Sequence, residues 1–150
     1  MVSAGVRFEG KGSLHFTDEK AKVNADYYVK QLLPKLLDCR QLLGQRFIIQ
    51  HAAKLTQQWL AANCPDLIDK DSWPANSPDI NPLDYHVWGS MLQKFCHLNL
   101  RPKNIPELKS ALMKIWNDLS QDEIRKSTAN FRKRLRACVN ADGGHFEHLL

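Results

Sequence analysis

The chain has 150 residues, with 21 Lys+Arg against 16 Asp+Glu, a formal net charge of +5 and a sequence pI of about 9.1. Hydrophobic residues make up 43% and charged residues 25%, an ordinary globular balance that excludes wholesale disorder and collagen-like repeats, and no apolar run approaches the ~20 residues of a membrane span. The charge is uneven: residues 1–100 carry 11 bases and 10 acids while residues 101–150 carry 10 bases and 6 acids, a mild pointer toward a polyanionic partner. The stretch 1–12 has neither the basic start and apolar block of a signal peptide nor the Arg/Ser bias of a transit peptide. Cys39, Cys64, Cys96 and Cys138 form no CxxC pair, which argues against a zinc ribbon or disulfide scaffold and for reduced thiols in the cytosol or nucleus.

In chain order, residues 2–6 and 13–16 read as two short strands, with Glu9-Gly10-Lys11-Gly12 supplying glycines for a hairpin turn. Asn24 is placed to cap a helix carrying Tyr28, Leu32, Leu36 and Leu37 on one side, bent or divided at Pro34 and ended by Gly44. Phe47-Ile48-Ile49 reads as a buried strand. Residues 51–63 read as a helix with Leu55, Trp59 and Ala62 inward, and residues 66–69 as one more short strand. A Pro-rich loop, 73–79, then feeds a helix begun by Asn81-Pro82 in the favoured manner, Asn as cap and Pro at the first helical position, running to about Cys96. The next helix starts at Asn104, with Glu107 completing a capping pattern and Leu108, Leu112, Ile115 and Leu119 as its stripe. Ser120-Gln121-Asp122-Glu123 is a second capping box. It opens a helix with Ile124, Phe131, Leu135 and Cys138 inward and Arg125, Arg132, Lys133 and Arg136 outward. The whole reads as a single α/β domain with a helical C-terminal extension.

Motifs of nucleotide, serine-hydrolase and zinc-protease chemistry are absent, and the six histidines are scattered without metal-site spacing. The segment that stands apart is 73–89, a stiff loop leading into a helix with Asp84 in its first turn. A first-turn acid is favourable against the helix dipole by about 0.3–1 kcal/mol, so its presence needs no function. The alternative is that Asp84 helps to bind a divalent metal, for which one carboxylate alone is insufficient.

Trp73-Pro74 and Ser77-Pro78-Asp79-Ile80-Asn81-Pro82-Leu83-Asp84-Tyr85, with Val87-Trp88-Gly89, closely resemble the last acidic motif of mariner-type transposases. The likeness extends through Leu14-His15-Phe16, Val23-Asn24-Ala25, Leu32-Leu33-Pro34, Thr56-Gln57 and Trp59-Leu60 to the tail Phe131-Arg132-Lys133-Arg134-Leu135 and Gly143-Gly144-His145-Phe146. The resemblance implies a ribonuclease H-like core in which three carboxylates hold two Mg²⁺ ions that cut and rejoin phosphodiesters. Asp84 matches the third carboxylate, and its being Asp, not Glu, fits the mariner side of the superfamily. The expected layout is a ribonuclease H-like core over about 1–98 and the helical extension over about 99–150.

Two departures accompany the resemblance. The family's second carboxylate lies in a Gln-Asp-Gly/Asn-Ala-Pro-Ala-His stretch, whereas here Gln50 runs straight into His51, and neither residue replaces a hard oxygen ligand. The strand of the first carboxylate would align upstream of Met1. Phe16-Thr17-Asp18-Glu19-Lys20 only superficially resembles that first motif, and Asp18 and Glu19 read as solvated loop charges. A sheet without its first, central strand would be marginally stable or completed by another chain. The expectation is therefore a truncated, internally deleted transposase catalytic domain without the amino-terminal DNA-binding domain. It would be catalytically inactive, with Mg²⁺ not held stably, and located in the nucleus. Weak, sequence-independent DNA contact falls to Lys126, Arg132, Lys133, Arg134 and Arg136, whose alternative is an ordinary solvated helix face. A competing expectation is an interaction module that associates with itself or with full-length transposase, and another is a decayed copy without function. No membrane partner is expected.

Overall fold

The computed structural model describes residues 1–18, 21–38, 54–63 and 78–150, which group into two compact units, Met1–Ala75 and Asn76–Leu150. The expected strands at 47–49 and 66–69, the helix end at Gly44, residues 51–53 of the second helix and the loop at 73–77 lie outside the described residues. The helix ending at Cys96 groups with the helices beyond residue 99.

The first unit opens with a hairpin whose ladder is split in two. Strand β1 (Val2–Ser3) pairs antiparallel with β4 (His15–Phe16), and β2 (Val6–Arg7) pairs with β3 (Gly10–Lys11). Val2 faces Phe16 whereas Val6 faces Lys11, so the returning arm carries one extra residue and the register steps by one, as at a β-bulge. The Gly12 N–H donates to the Gly5 carbonyl at 2.8 Å and extends the inner register. The glycines expected to make the turn lie beside it. Phe8 and Glu9 turn the chain, neither at positive φ, because a turn built on right-handed conformations accepts ordinary residues.

Asn24 caps the following helix as expected, its Oδ1 accepting from the Tyr27 N–H at 2.9 Å. The helix bends its rules without breaking at Pro34. From α1 (Ala25–Tyr27) it passes through a π-helical turn, Tyr28–Leu32, into α2 (Leu33–Asp38), and the Leu33 N–H bonds to the carbonyl five residues back, on Tyr28. Proline lacks the N–H that would reach the carbonyl of Lys30 and its ring crowds that oxygen, so widening the preceding turn relieves both problems. Leu32 and Leu33 are buried; Leu36 and Leu37 side chains lie outside the described set. In α3 (Lys54–Asn63) the buried pair is Thr56 and Leu60, while Leu55 and Ala62, expected inward, face solvent. The inward face is turned by one residue because Leu60 packs on Leu33 beside Tyr28, Val29 and Trp59, and that partner sets the orientation.

The second unit begins with a 3-10 turn, Pro78–Ile80, whose Ile80 is fully buried. Asn81 then caps the helix of residues 82–96: its Oδ1 accepts from the Leu83 N–H at 3.1 Å and its carbonyl from Asp84 and Tyr85 at 2.9 and 3.0 Å. Here too the first turn is π-helical, Leu83–Val87, with the Trp88 N–H bonded to the Leu83 carbonyl before the regular α4 (Trp88–Cys96). Helix α5 (Ile105–Asn117) has both predicted capping partners: Asn104 accepts from the Glu107 N–H, and the Glu107 carboxylate accepts from the Lys103 N–H, each at 2.9 Å. It buries Ile115 and, unforeseen, Trp116, whose ring lies 6.2 Å from that of Trp88; Leu108, expected in the stripe, is exposed.

Helix α6 (Gln121–Asn140) begins with the reciprocal box of Ser120 and Glu123 and buries Ile124, Ser127, Ala137 and Cys138. It ends in a paired closure. Gly143 donates to the Cys138 carbonyl at 2.9 Å and Asp142 to that of Val139 at 3.1 Å, with Asp142 at φ 48° and Gly143 at φ 77°. This left-handed pair turns the tail back so that Phe146 is buried. Because the Ser120 hydroxyl satisfies an otherwise orphaned N–H, Ser120→Ala should lower the unfolding free energy by about 1 kcal/mol in urea titration, and Ser120→Gly by only a few tenths.

Candidate functional site

Asp84 sits in the widened first turn of the helix at residues 82–96 and is exposed. Its carboxylate Oδ2 accepts from the Asn81 side-chain amide at 2.9 Å, so the residue that caps the helix also orients the acid. Among the described residues no group of three or more His, Cys, Asp or Glu side chains could hold a metal ion. Asp18, set aside in the sequence, is an exposed acid taking a 3.2 Å hydrogen bond from the Tyr27 hydroxyl.

Tyr85, next to the acid, is the anchor of this turn. Its hydroxyl donates to the Ser127 carbonyl of α6, and the Arg134 guanidinium lies over its ring, 4.1 Å from the centroid. Arg134 Nη1 also donates to the Asp79 carbonyl at 2.6 Å and to Glu147 Oε1 at 3.3 Å. Burial pushes the Tyr85 phenol up to about 12, against the opposing pull of the Arg134 charge. The neighbouring His86 has a buried Nε2 with no hydrogen-bond partner among the described residues.

The sequence-predicted cations divide. Lys126, Arg132, Lys133 and Arg136 are exposed on α6, as is Arg125, which pairs with Asp122 at 3.6 Å. At about 100° per residue, these five fall within an arc of about 120°. Arg134 does not belong to it. Nine residues beyond Arg125, it is turned about 180° away, and its side chain is 16% exposed. The structure thus gathers four of the five predicted contacts into one stripe with Arg125, which the sequence also read as outward, and places Arg134 on the core-facing side with Ser127 and Cys138. The spacing of Arg125, Arg132 and Arg136 at i, i+7 and i+11 was the available signal for that stripe.

No protein-family model matches the chain. Over 93 residues it is 23% identical to the Transposable element Tc3 transposase of Caenorhabditis elegans, a match covering 62% of this chain and 27% of that protein. Its fold is that of the Mos1 transposase catalytic domain. A Mos1 structure with raltegravir and Mn superposes with a TM-score of 0.77 at 22% identity, covering 97% of this chain and 76% of that one. A Mos1 paired-end complex with the left transposon end gives a TM-score of 0.77 at 20% identity, covering 97% of this chain and 44% of that one. The Mos1 catalytic domain has also been solved with Mg. The chain spans about a quarter of the length of the curated relative it matches.

The raised Tyr85 phenol has a pH consequence. A folded-state pKa above the ordinary 10.0 means that its contribution to stability is complete below pH 10 and is lost as pH rises toward 12. Thermal unfolding measured from pH 9 to 12 should show a midpoint falling across that window, and Tyr85→Phe should flatten part of the fall.

Proposed function

We infer that this chain is a mariner-type transposase derivative, and we propose that it binds DNA non-specifically through α6 and does not cut it. The observation that carries the DNA reading is the exposed cationic stripe of Lys126, Arg132, Lys133 and Arg136 beside Arg125, presented by a fold shared with a transposase catalytic domain. Phosphates lie along a duplex at a regular spacing, and a row of long cationic side chains neutralises them without reading bases. Such contact is salt-sensitive and weak, with a dissociation constant on the order of 10⁻⁴–10⁻⁶ M at physiological salt. The compartment that fits this partner is the nucleus.

The proposal of inactivity rests on a point inside the chain. Gln50 abuts His51 where the resemblance requires an intervening acid, so the sequence of that segment contributes no carboxylate. Two divalent cations brought together without that negative charge repel one another and keep their water. Asp84 alone then binds Mg²⁺ no better than any surface acid, and no step of strand cleavage is assigned to it.

The second reading is association with another transposase copy. It is favoured by the exposed Leu92, Ile105 and Met113, at 63%, 52% and 48% of full accessibility, on neighbouring helices of the second unit. Mos1, the structural relative, is seen in paired-end complexes.

The DNA reading is tested by titrating a labelled duplex at several salt concentrations. The log–log slope should be about −3 to −4, and should collapse when Lys126, Arg132, Lys133 and Arg136 are all changed to Gln; a slope near zero for the parent chain would remove the reading. The inactivity is tested by incubating supercoiled plasmid with the protein and Mg²⁺ or Mn²⁺. No nicking is expected, and nicking abolished by Asp84→Ala would overturn it. Co-sedimentation with a full-length transposase tests the second reading.

A further inference from the structure

We propose that Arg134 is a positioning residue that locks the turn bearing Asp84, and that it makes no phosphate contact; the second half of this statement rests on the DNA reading above. Three separate segments converge on this one guanidinium. Asp79 comes from the 3-10 turn before the helix, Tyr85 from the widened first turn and Glu147 from the folded-back tail. The planar face of the guanidinium, which an ammonium lacks, covers the tyrosine ring while its Nη1 donates to both oxygen acceptors. Its surroundings also favour holding it there. The Asp79 carbonyl is a neutral acceptor at 2.6 Å, the Glu147 carboxylate brings opposite charge, and the aromatic face attracts a cation within about 6 Å.

The effect on the acid is indirect and traceable. Arg134 holds Asp79, two residues before the cap, and Tyr85, the residue after the acid. Asn81 and Asp84 lie between those two points, joined by the 2.9 Å bond from amide to carboxylate. With both ends held, the cap and the acid keep one mutual orientation. The same guanidinium tethers the tail at Glu147, next to the buried Phe146, so release of Arg134 frees both the acid-bearing turn and the chain terminus. On α6 the residue lies about 140° from the middle of the cationic stripe, and its guanidinium is already engaged by Asp79, Tyr85 and Glu147, so a duplex along that stripe meets the other cations first.

The test uses the full 150-residue chain with Arg134→Gln, Arg134→Lys and, as contrast, Arg132→Gln. Amide exchange should speed up about tenfold in residues 79–88 and 145–150 for Arg134→Gln, with residues 105–117 unaltered, and Arg134→Lys should restore part of the protection. The slope of log affinity against log salt should stay at the parent value for Arg134→Gln and weaken by about 0.9 for Arg132→Gln. A slope weakened by about 0.9 in Arg134→Gln with unchanged exchange would make Arg134 a phosphate contact and overturn the proposal. If the parent chain binds no duplex, the DNA reading fails alone, and the exchange pattern still decides the clamp. Should Arg134→Gln not fold, Tyr85→Leu removes the ring beneath the guanidinium and should give the same local exchange. Unchanged exchange in 79–88 for that variant would overturn the proposal.

Discussion

A helix turns each successive side chain by about 100°, and in Gln121–Asn140 this rotation sorts six cations between two environments. Five of them share one arc in water. Arg134 alone is drawn to the opposite side, among Ser127, Cys138 and the Tyr85 ring. The sorting is forced by sequence spacing, because a residue nine positions from Arg125 cannot stay on its face while the helix remains regular. The run Arg132-Lys133-Arg134, continuous in the sequence, is therefore divided in space. Two of its members are available to a polyanion, and the third joins the packing that supports the acidic turn.

How the acidic turn is supported follows from this division. Asp84 bonds to Asn81, and its neighbour Tyr85 reaches α6 by a hydroxyl bonded to Ser127 and a ring covered by Arg134. The arrangement holds the acidic turn within a fold like that of the Mos1 transposase catalytic domain. Packing and capping hold the turn, and neither requires a metal ion. The forces that shape the turn are thus local packing and hydrogen bonding.

Much of this was legible in the residues. Asn24, Asn81, Asn104 and Ser120 all cap helices as their side chains suggest, because an N-cap is a local interaction decided within four residues. The hairpin was legible in outline but not in register, since the glycines at 10 and 12 drew the turn away from Phe8-Glu9. Inward faces were read less well. Leu55 and Leu108 are exposed while Thr56 and Trp116 are buried, because a helix with apolar residues on more than one side is oriented by its partner. The role of Arg134 was not legible from charge alone. It needed the position of Tyr85 and the return of the tail, both set by contacts across dozens of residues.

The two widened turns share a geometric property. Each holds one residue more than an ordinary helical turn, as if a single insertion had been absorbed in place, at 28–32 and again at 83–87. Loss of one residue from the second would let the helix close to its normal pitch and leave Trp88–Cys96 in place. Because the extra residue is taken up inside the turn, the segments on either side would stay near their places and the side chains within the turn, the aspartate among them, would be re-aimed. A one-codon deletion at that point could thus re-aim the acid while sparing the hydrophobic interior. That gives this short stretch a mutational freedom that the rigid coils around it do not have.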